Sequence, residues 1–253
     1  LFPRSIPKNA TFSIQINHCS VATVLYVFGI SRYIEIMKKT LIGKFLAELL
    51  GSFTLVLFVC GAAAINSYPL PFIAAVFAAT VMVMVYAFGS ISGAHLNPGI
   101  TFGFVVAKQL HLSSALFYWL GQVIGAALAI IVLKTLPITG GFAISLPAIT
   151  PLQALFLDTV LAFLLMFVFY SVSTDVKTIK PIAAPAIGLM VGLGVIVTGS
   201  FLGVSMNPVR SLAAAIGEGN FQSLWIYWVS SLIGSTIAVL FYDFLKRNFY
   251  KAD

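Results

Sequence analysis

The sequence predicts an all-α membrane protein with six transmembrane helices and two re-entrant half-helices, arranged as an inverted three-helix repeat. Three observations predict it. Of the 253 residues, 60% are hydrophobic and 8% are charged, with a mean hydropathy of +1.05, whereas a soluble domain is about a quarter charged. Apolar stretches recur at about the ~20 residues that a helix needs to cross a ~30 Å hydrocarbon core. One pattern also occurs twice: Gly89-Ser-Ile-Ser-Gly-Ala-His-Leu-Asn-Pro98 returns as Gly199-Ser-Phe-Leu-Gly-Val-Ser-Met-Asn-Pro208, 110 residues later (207 − 97).

Taken in order, residues 1–40 are expected to form an extension, cytoplasmic or interfacial, because the apolar run from Cys19 to Ile30 is too short to span. A membrane domain over 41–253 follows, with repeat one at about 41–134 and repeat two at about 151–246. The expected spans are Lys44 to Ile65, Pro71 to Ile91, Leu112 to Leu133, Leu152 to Ser173, Ile182 to Phe201 and Ser223 to Leu245. Two shorter apolar pieces, Asn97 to Ala107 and Asn207 to Gly217, reach half-way across a bilayer at about 1.5 Å per residue. Three spans per repeat is an odd number, so the second repeat sits upside down, related to the first by a pseudo-two-fold axis in the membrane plane. The offset that relates the Asn-Pro pairs also carries Glu48 onto Asp158, and Trp119 reaches Trp228 with a slip of one.

The net charge of +7 does not point to nucleic acid, because the basic residues sit between apolar runs. Arg32, Lys38, Lys39, Lys44, Lys108, Lys177, Lys180, Lys246, Arg247 and Lys251 fall on one side of the six spans, with essentially Lys134 opposite. By the positive-inside rule both termini are cytoplasmic, in a multi-pass protein of the cell membrane. Cys19 and Cys60 are too few for a metal site, and no metal or cofactor is expected.

Asn is a strong N-cap and Pro suits the first helical position, so each Asn-Pro reads as a helix start at membrane depth. Non-helical backbone is tolerated there where it lines a water-filled cavity or is buried in protein. Ser92 to Leu96 and Gly203 to Met206 are expected to line one and to offer carbonyls to a passing solute. Two facing helix N-termini place roughly half an elementary charge each at the centre, a barrier to cations and protons. If each Asn oxygen caps its own helix, both amide hydrogens of Asn97 and of Asn207 are left to donate to a solute oxygen. That arrangement suits uncharged, oxygen-bearing solutes.

From about Lys44 to Tyr242 these residues resemble the major intrinsic protein family, the aquaporins and glycerol facilitators. Ser92-Gly-Ala-His-Leu-Asn-Pro98 looks like the family's first pore loop and Asn207-Pro-Val-Arg-Ser211 like its second. The resemblance makes Glu48 and Asp158 the buried acids that brace those loops, Asp158 being shorter than the usual Glu, and gives His95 a pore-lining or loop-bracing role. Where the family usually has Ala after Asn97-Pro98 and Asn207-Pro208, this chain has Gly99 and Val209. Gly99 is expected to loosen its helix start and Val209 to crowd its own.

By the same resemblance the selectivity filter comprises Phe77, Val195, Val204 and Arg210. A charged side chain in a channel wall is costly and usually functional, and a guanidinium offers several donors while repelling cations. Phe77 resembles the bulky residue of water-selective members, whereas Val195 replaces the filter histidine many of them carry and leaves a wider, greasier opening. Ser211, Ala215, Tyr227 and Trp228 resemble the water-channel set; glycerol facilitators tend to place an acid directly after the filter arginine.

The expectation is a passive water channel in the lipid bilayer, not an enzyme, with passage of glycerol or other small neutral solutes as the alternative. A homotetramer is implied by the resemblance alone. Two rival classes fit less well. An inverted-repeat secondary transporter would want an acid at the helix breaks, and none is there. An intramembrane hydrolase would want a base opposite Ser92-Gly93, and none is placed.

Overall fold

A computed structural model describes residues 40–65, 68–138, 140–174, 180–203 and 205–249. The expected extension over residues 1–40 lies outside the described residues except for Thr40, as do Arg32, Lys38, Lys39, Lys177, Lys251 and Val204.

Hydrocarbon offers no hydrogen bonds, so each long apolar segment satisfies its backbone internally as a helix. The spans are α1 (Leu41–Ala64), α2 (Leu70–Phe88), α4 (Leu112–Lys134), α5 (Pro151–Thr174), α6 (Lys180–Leu202) and α8 (Leu224–Phe249). Between them come the half-helices α3 (Pro98–Val106) and α7 (Pro208–Glu218). Among the described residues six helices are long and apolar enough to cross a membrane, and there is no strand. Thr40 caps α1 by accepting from the Gly43 amide at 3.1 Å. Three ends differ most from the sequence expectation. α1 begins at Leu41 rather than Lys44, a turn earlier, behind its Thr40 cap. α2 stops at Phe88 rather than Ile91, because the chain turns over residues 89–92 to enter the first pore loop. α8 continues past Leu245 to Phe249 with Lys246 and Arg247 in its last turn, where the helix dipole favours cations.

Packing follows the repeat. α1 lies along α4 and α5 along α8, while α2 meets α6 across the repeats. Small residues let the backbones touch. A Cβ on Gly125 of α4 would stand 2.1 Å from the Leu49 carbonyl oxygen of α1, and one on Gly234 of α8 would stand 2.5 Å from that of Thr159 on α5. The half-helices are exchanged. α3, from repeat one, packs chiefly on α8 of repeat two, and α7 packs chiefly on α4 of repeat one.

Candidate functional site

The two Asn-Pro pairs meet at the centre of the bundle. Asn97 is the N-cap of α3, its side-chain oxygen accepting from the Gly99 amide at 2.9 Å, and Pro98 stands at the first helical position. Asn207 caps α7 in the same way, accepting from Val209 at 3.1 Å and Arg210 at 3.4 Å. Each side-chain amide then crosses to the other repeat. Asn97 Nδ2 donates to the Met206 carbonyl at 2.9 Å, and Asn207 Nδ2 donates to the Leu96 carbonyl at 2.7 Å. Leu96 and Met206 both adopt the left-handed region, with φ of 51° and 62°, a conformation that costs a non-glycine residue on the order of 1–3 kcal/mol.

These bonds correct two expectations. Each Asn keeps one amide hydrogen for a solute, not two, because the other is committed to the facing loop. The Leu96 and Met206 carbonyls are likewise withdrawn from the solute, and the Ser92 carbonyl accepts from Tyr118 Oη at 2.7 Å. Among the described residues the carbonyls of Gly93, Ala94 and His95 accept no hydrogen bond and stay available.

The first loop is held from behind by Glu48, which is fully buried. Its carboxyl group accepts from the His95 amide at 2.9 Å, the Leu96 amide at 2.7 Å, Ser92 Oγ at 2.6 Å and Gln122 Nε2 at 2.7 Å. Among the described residues the second loop meets fewer such contacts. Asp158, at the equivalent position, accepts from Ser230 Oγ. The Met206 amide faces the same carboxyl, but Oδ1 has no hydrogen-bond partner among the described residues. The cause is reach, since Asp is a methylene shorter than Glu.

His95 is 7% exposed. Its Nδ1 lies 3.2 Å from Thr101 Oγ1 and its ring stacks on Phe104 with centroids 4.6 Å apart. Gly99 is not a loosened helix start but a close approach, because a Cβ there would fall 1.9 Å from Ser231 Oγ of α8. Val209 is buried without displacing its cap, since its amide still reaches Asn207.

Arg210 is fully buried. Nη1 donates to the Ala143 carbonyl at 2.6 Å and to Ser145 Oγ at 3.3 Å, and Nη2 donates to the Phe142 carbonyl at 3.2 Å. Its Nε has no partner among the described residues, and the Cys60 thiol lies against the guanidinium. Phe77 and Val195, each 1% exposed, belong to one apolar cluster on the facing helices α2 and α6.

Ser211 Oγ pairs with Ser145 Oγ at 2.9 Å and Ser205 Oγ at 2.8 Å. Tyr227 Oη donates to the Leu202 carbonyl at 2.6 Å. The Ala215 carbonyl accepts from the Asn220 amide at 3.1 Å. Trp228 is half-buried.

Two cavities adjoin at this site. One, of about 20 Å³, is lined by Asn97, Asn207, Phe77, Leu96 and Met206 among others, and a single water needs roughly 10–15 Å³ measured this way. It therefore has room for one or two waters. The other is a vestibule of about 840 Å³ that reaches Lys44 and Gln109. His95, Phe169 and Ile187 line both and stand between them. Val195 and Arg210 do not line the small cavity. Ser211, Ala215 and Tyr227 instead line a separate space of about 10 Å³ with Ser145 and Asn220.

The sequence reading missed Gln122, Tyr118, Thr101 and Ser230, each a polar residue inside an apolar segment. Tyr118 and Tyr227 stand 109 residues apart (227 − 118), the offset of Trp119 and Trp228, so the repeat itself carried a signal for that pair.

Comparison with known proteins agrees with this architecture. The family model described as Major intrinsic protein matches residues 35–242. Aquaporin NIP1-2 of Arabidopsis thaliana is 37% identical over 217 residues, covering 80% of this chain and 74% of the plant protein. Probable aquaporin TIP2-1 of Oryza sativa subsp. japonica is 39% identical over 175 residues, covering 67% of this chain and 70% of that one. Among solved structures, the aquaglyceroporin of Plasmodium falciparum superposes with a TM-score of 0.73 at 21% identity, over 81% of this chain and 96% of that chain. At that identity the likeness is one of fold.

Proposed function

The chain belongs to the major intrinsic protein family and is a membrane channel for water or small solutes; we propose that water is the solute it selects. The observation that carries the reading is the paired Asn arrangement. Two capped half-helices face a cavity with room for one or two waters, and each Asn offers one uncommitted amide hydrogen there. A water held as acceptor between Asn97 and Asn207 turns its own hydrogens outward and cannot pass a proton along the file, while the helix termini repel cations.

Selectivity among neutral solutes is assigned to Phe77, Val195, Val204 and Arg210, with Phe77 limiting the bore and Arg210 supplying donors and excluding cations. Ser211 supports water over glycerol, since no acid follows the arginine. Glu48, Asp158 and His95 serve as braces for the loops. Both termini and the Lys44 vestibule are placed in the cytoplasm by the distribution of basic residues, residues 1–40 form an extension to the channel, and the assembly is a homotetramer in the cell membrane.

Stopped-flow light scattering on proteoliposomes tests the reading. Under an osmotic gradient the liposomes shrink rapidly, and under a glycerol gradient they reswell no faster than empty vesicles. Glycerol flux comparable with water flux overturns water selectivity in favour of a glycerol-passing channel.

A further inference from the structure

The Cys60 thiol lies against the Arg210 guanidinium, but among the described residues the oxygens that accept from it all belong to the segment 142–145, namely the carbonyls of Phe142 and Ala143 and the hydroxyl of Ser145. Its buried Nε has no partner among the described residues. The position of the guanidinium therefore follows the position of that segment. The segment is not part of any helix, and Ala143 lies in the left-handed region with φ of 51°. Something must hold it.

Beside Arg210 the Ser145 hydroxyl pairs with Ser211 Oγ at 2.9 Å, and a second hold comes from the far end of the helix that carries Arg210. Glu218, the last residue of α7, accepts a hydrogen bond from the Phe142 amide through Oε1. Phe142 is thus gripped twice by α7, its N–H by Glu218 and its C=O by Arg210. The fit around it is close. A Cβ on Gly217 would meet the Phe142 ring at 2.5 Å, and one on Gly141 would meet Glu218 Oε1 at 2.7 Å. Glu218 is exposed and Arg210 is fully buried, so the chain Glu218, Phe142, Arg210 runs from the protein surface to the guanidinium.

We propose that Glu218 is a positioning residue for solute selection: by holding the Phe142 amide it fixes the segment on which the Arg210 guanidinium rests. This builds on the assignment of Arg210 to the filter. Removing the carboxylate frees the segment, lets the guanidinium drift, and relaxes the discrimination between water and larger polar solutes without closing the pore.

The experiment measures glycerol and water permeability in proteoliposomes for the wild type, Glu218→Ala, Glu218→Gln, Gly141→Ala, Arg210→Val and the double variant Glu218→Ala/Arg210→Val. Glu218→Ala is expected to raise the glycerol-to-water ratio about fivefold, equivalent to the ~1 kcal/mol that an exposed charge-assisted contact can carry. Glu218→Gln keeps an oxygen for the Phe142 amide and stays near wild type. Gly141→Ala displaces Glu218 Oε1 and moves the ratio in the same direction as Glu218→Ala. In the Arg210→Val background Glu218→Ala adds nothing, because there is no guanidinium left to position. A shifted ratio in Arg210→Val with none in Glu218→Ala overturns this proposal and leaves the filter assignment standing. A Glu218→Ala effect that persists in full without Arg210 also overturns it. An unchanged ratio in Arg210→Val sinks both.

Discussion

The two loop acids occupy equivalent positions in the repeat, but neutralising them should have very different costs. Four donors face the Glu48 carboxyl, two on each oxygen: Ser92 Oγ and the His95 amide on Oε1, and the Leu96 amide and Gln122 Nε2 on Oε2. In Glu48→Gln one of those oxygens becomes an NH₂ group, which turns two acceptances into donor-against-donor contacts in a fully buried site. Bonds to a charged group carry about 1.5–3 kcal/mol each, so the loss is about 3–6 kcal/mol. At roughly 3 °C per kcal/mol for a chain of this size, the melting temperature falls by about 9–18 °C. Asp158→Asn should cost less, because among the described residues only Ser230 and the Met206 amide face its carboxyl, Oδ1 has no partner, and an Asn that turns its NH₂ to that side keeps its oxygen for Ser230. Thermal unfolding of the detergent-purified variants, followed by tryptophan fluorescence, checks the contrast. Equal losses in the two variants would refute the reach argument.

Three further outcomes follow from the same geometry. Asn207→Ala strips the Val209 amide of its cap and leaves the Leu96 carbonyl without its donor. At about 1–3 kcal/mol per buried orphan, both thermal stability and osmotic water permeability should drop. Gly99→Ala, which restores the residue usual in the family, should destabilise the protein by about 1–3 kcal/mol, because its Cβ meets Ser231 Oγ. Adding Ser231→Ala should recover most of that loss in a melting experiment. Phe77→Ala, at a 1% exposed residue lining the small cavity, should raise glycerol and urea permeability in stopped-flow assays even as it costs about 3–5 kcal/mol of stability.

Span number, the half-helices and the inverted repeat were legible because lipid enforces long apolar runs and because the Asn-Pro offset is an exact count along the chain. Glu48 and Asp158 followed from that same offset. What the sequence could not convey was how many donors each acid meets, which depends on a methylene of reach and on residues such as Gln122 and Ser230 that arrive from α4 and α8. Gly99 misled for a related reason: its role is set by Ser231, more than 130 residues away (231 − 99). The 142–145 segment was invisible too, since a stretch held through its backbone and Ser145 by Arg210, Ser211 and Glu218 has no periodicity to read. The free amide count on Asn97 and Asn207 failed because the acceptors lie in the opposite half.

The exchange of half-helices bears on the order in which the chain is completed. When repeat one has been synthesised and repeat two has not, α3 has no α8 to rest on, the Leu96 carbonyl has no donor, and the Asn97 amide has no Met206 carbonyl to reach. The Leu96 and Asn97 groups wait for Asn207 and Met206 of the second loop, and α3 waits for α8. The conduit is thus a joint product of both halves rather than something either half makes and the other merely widens. Neither repeat expressed alone should conduct.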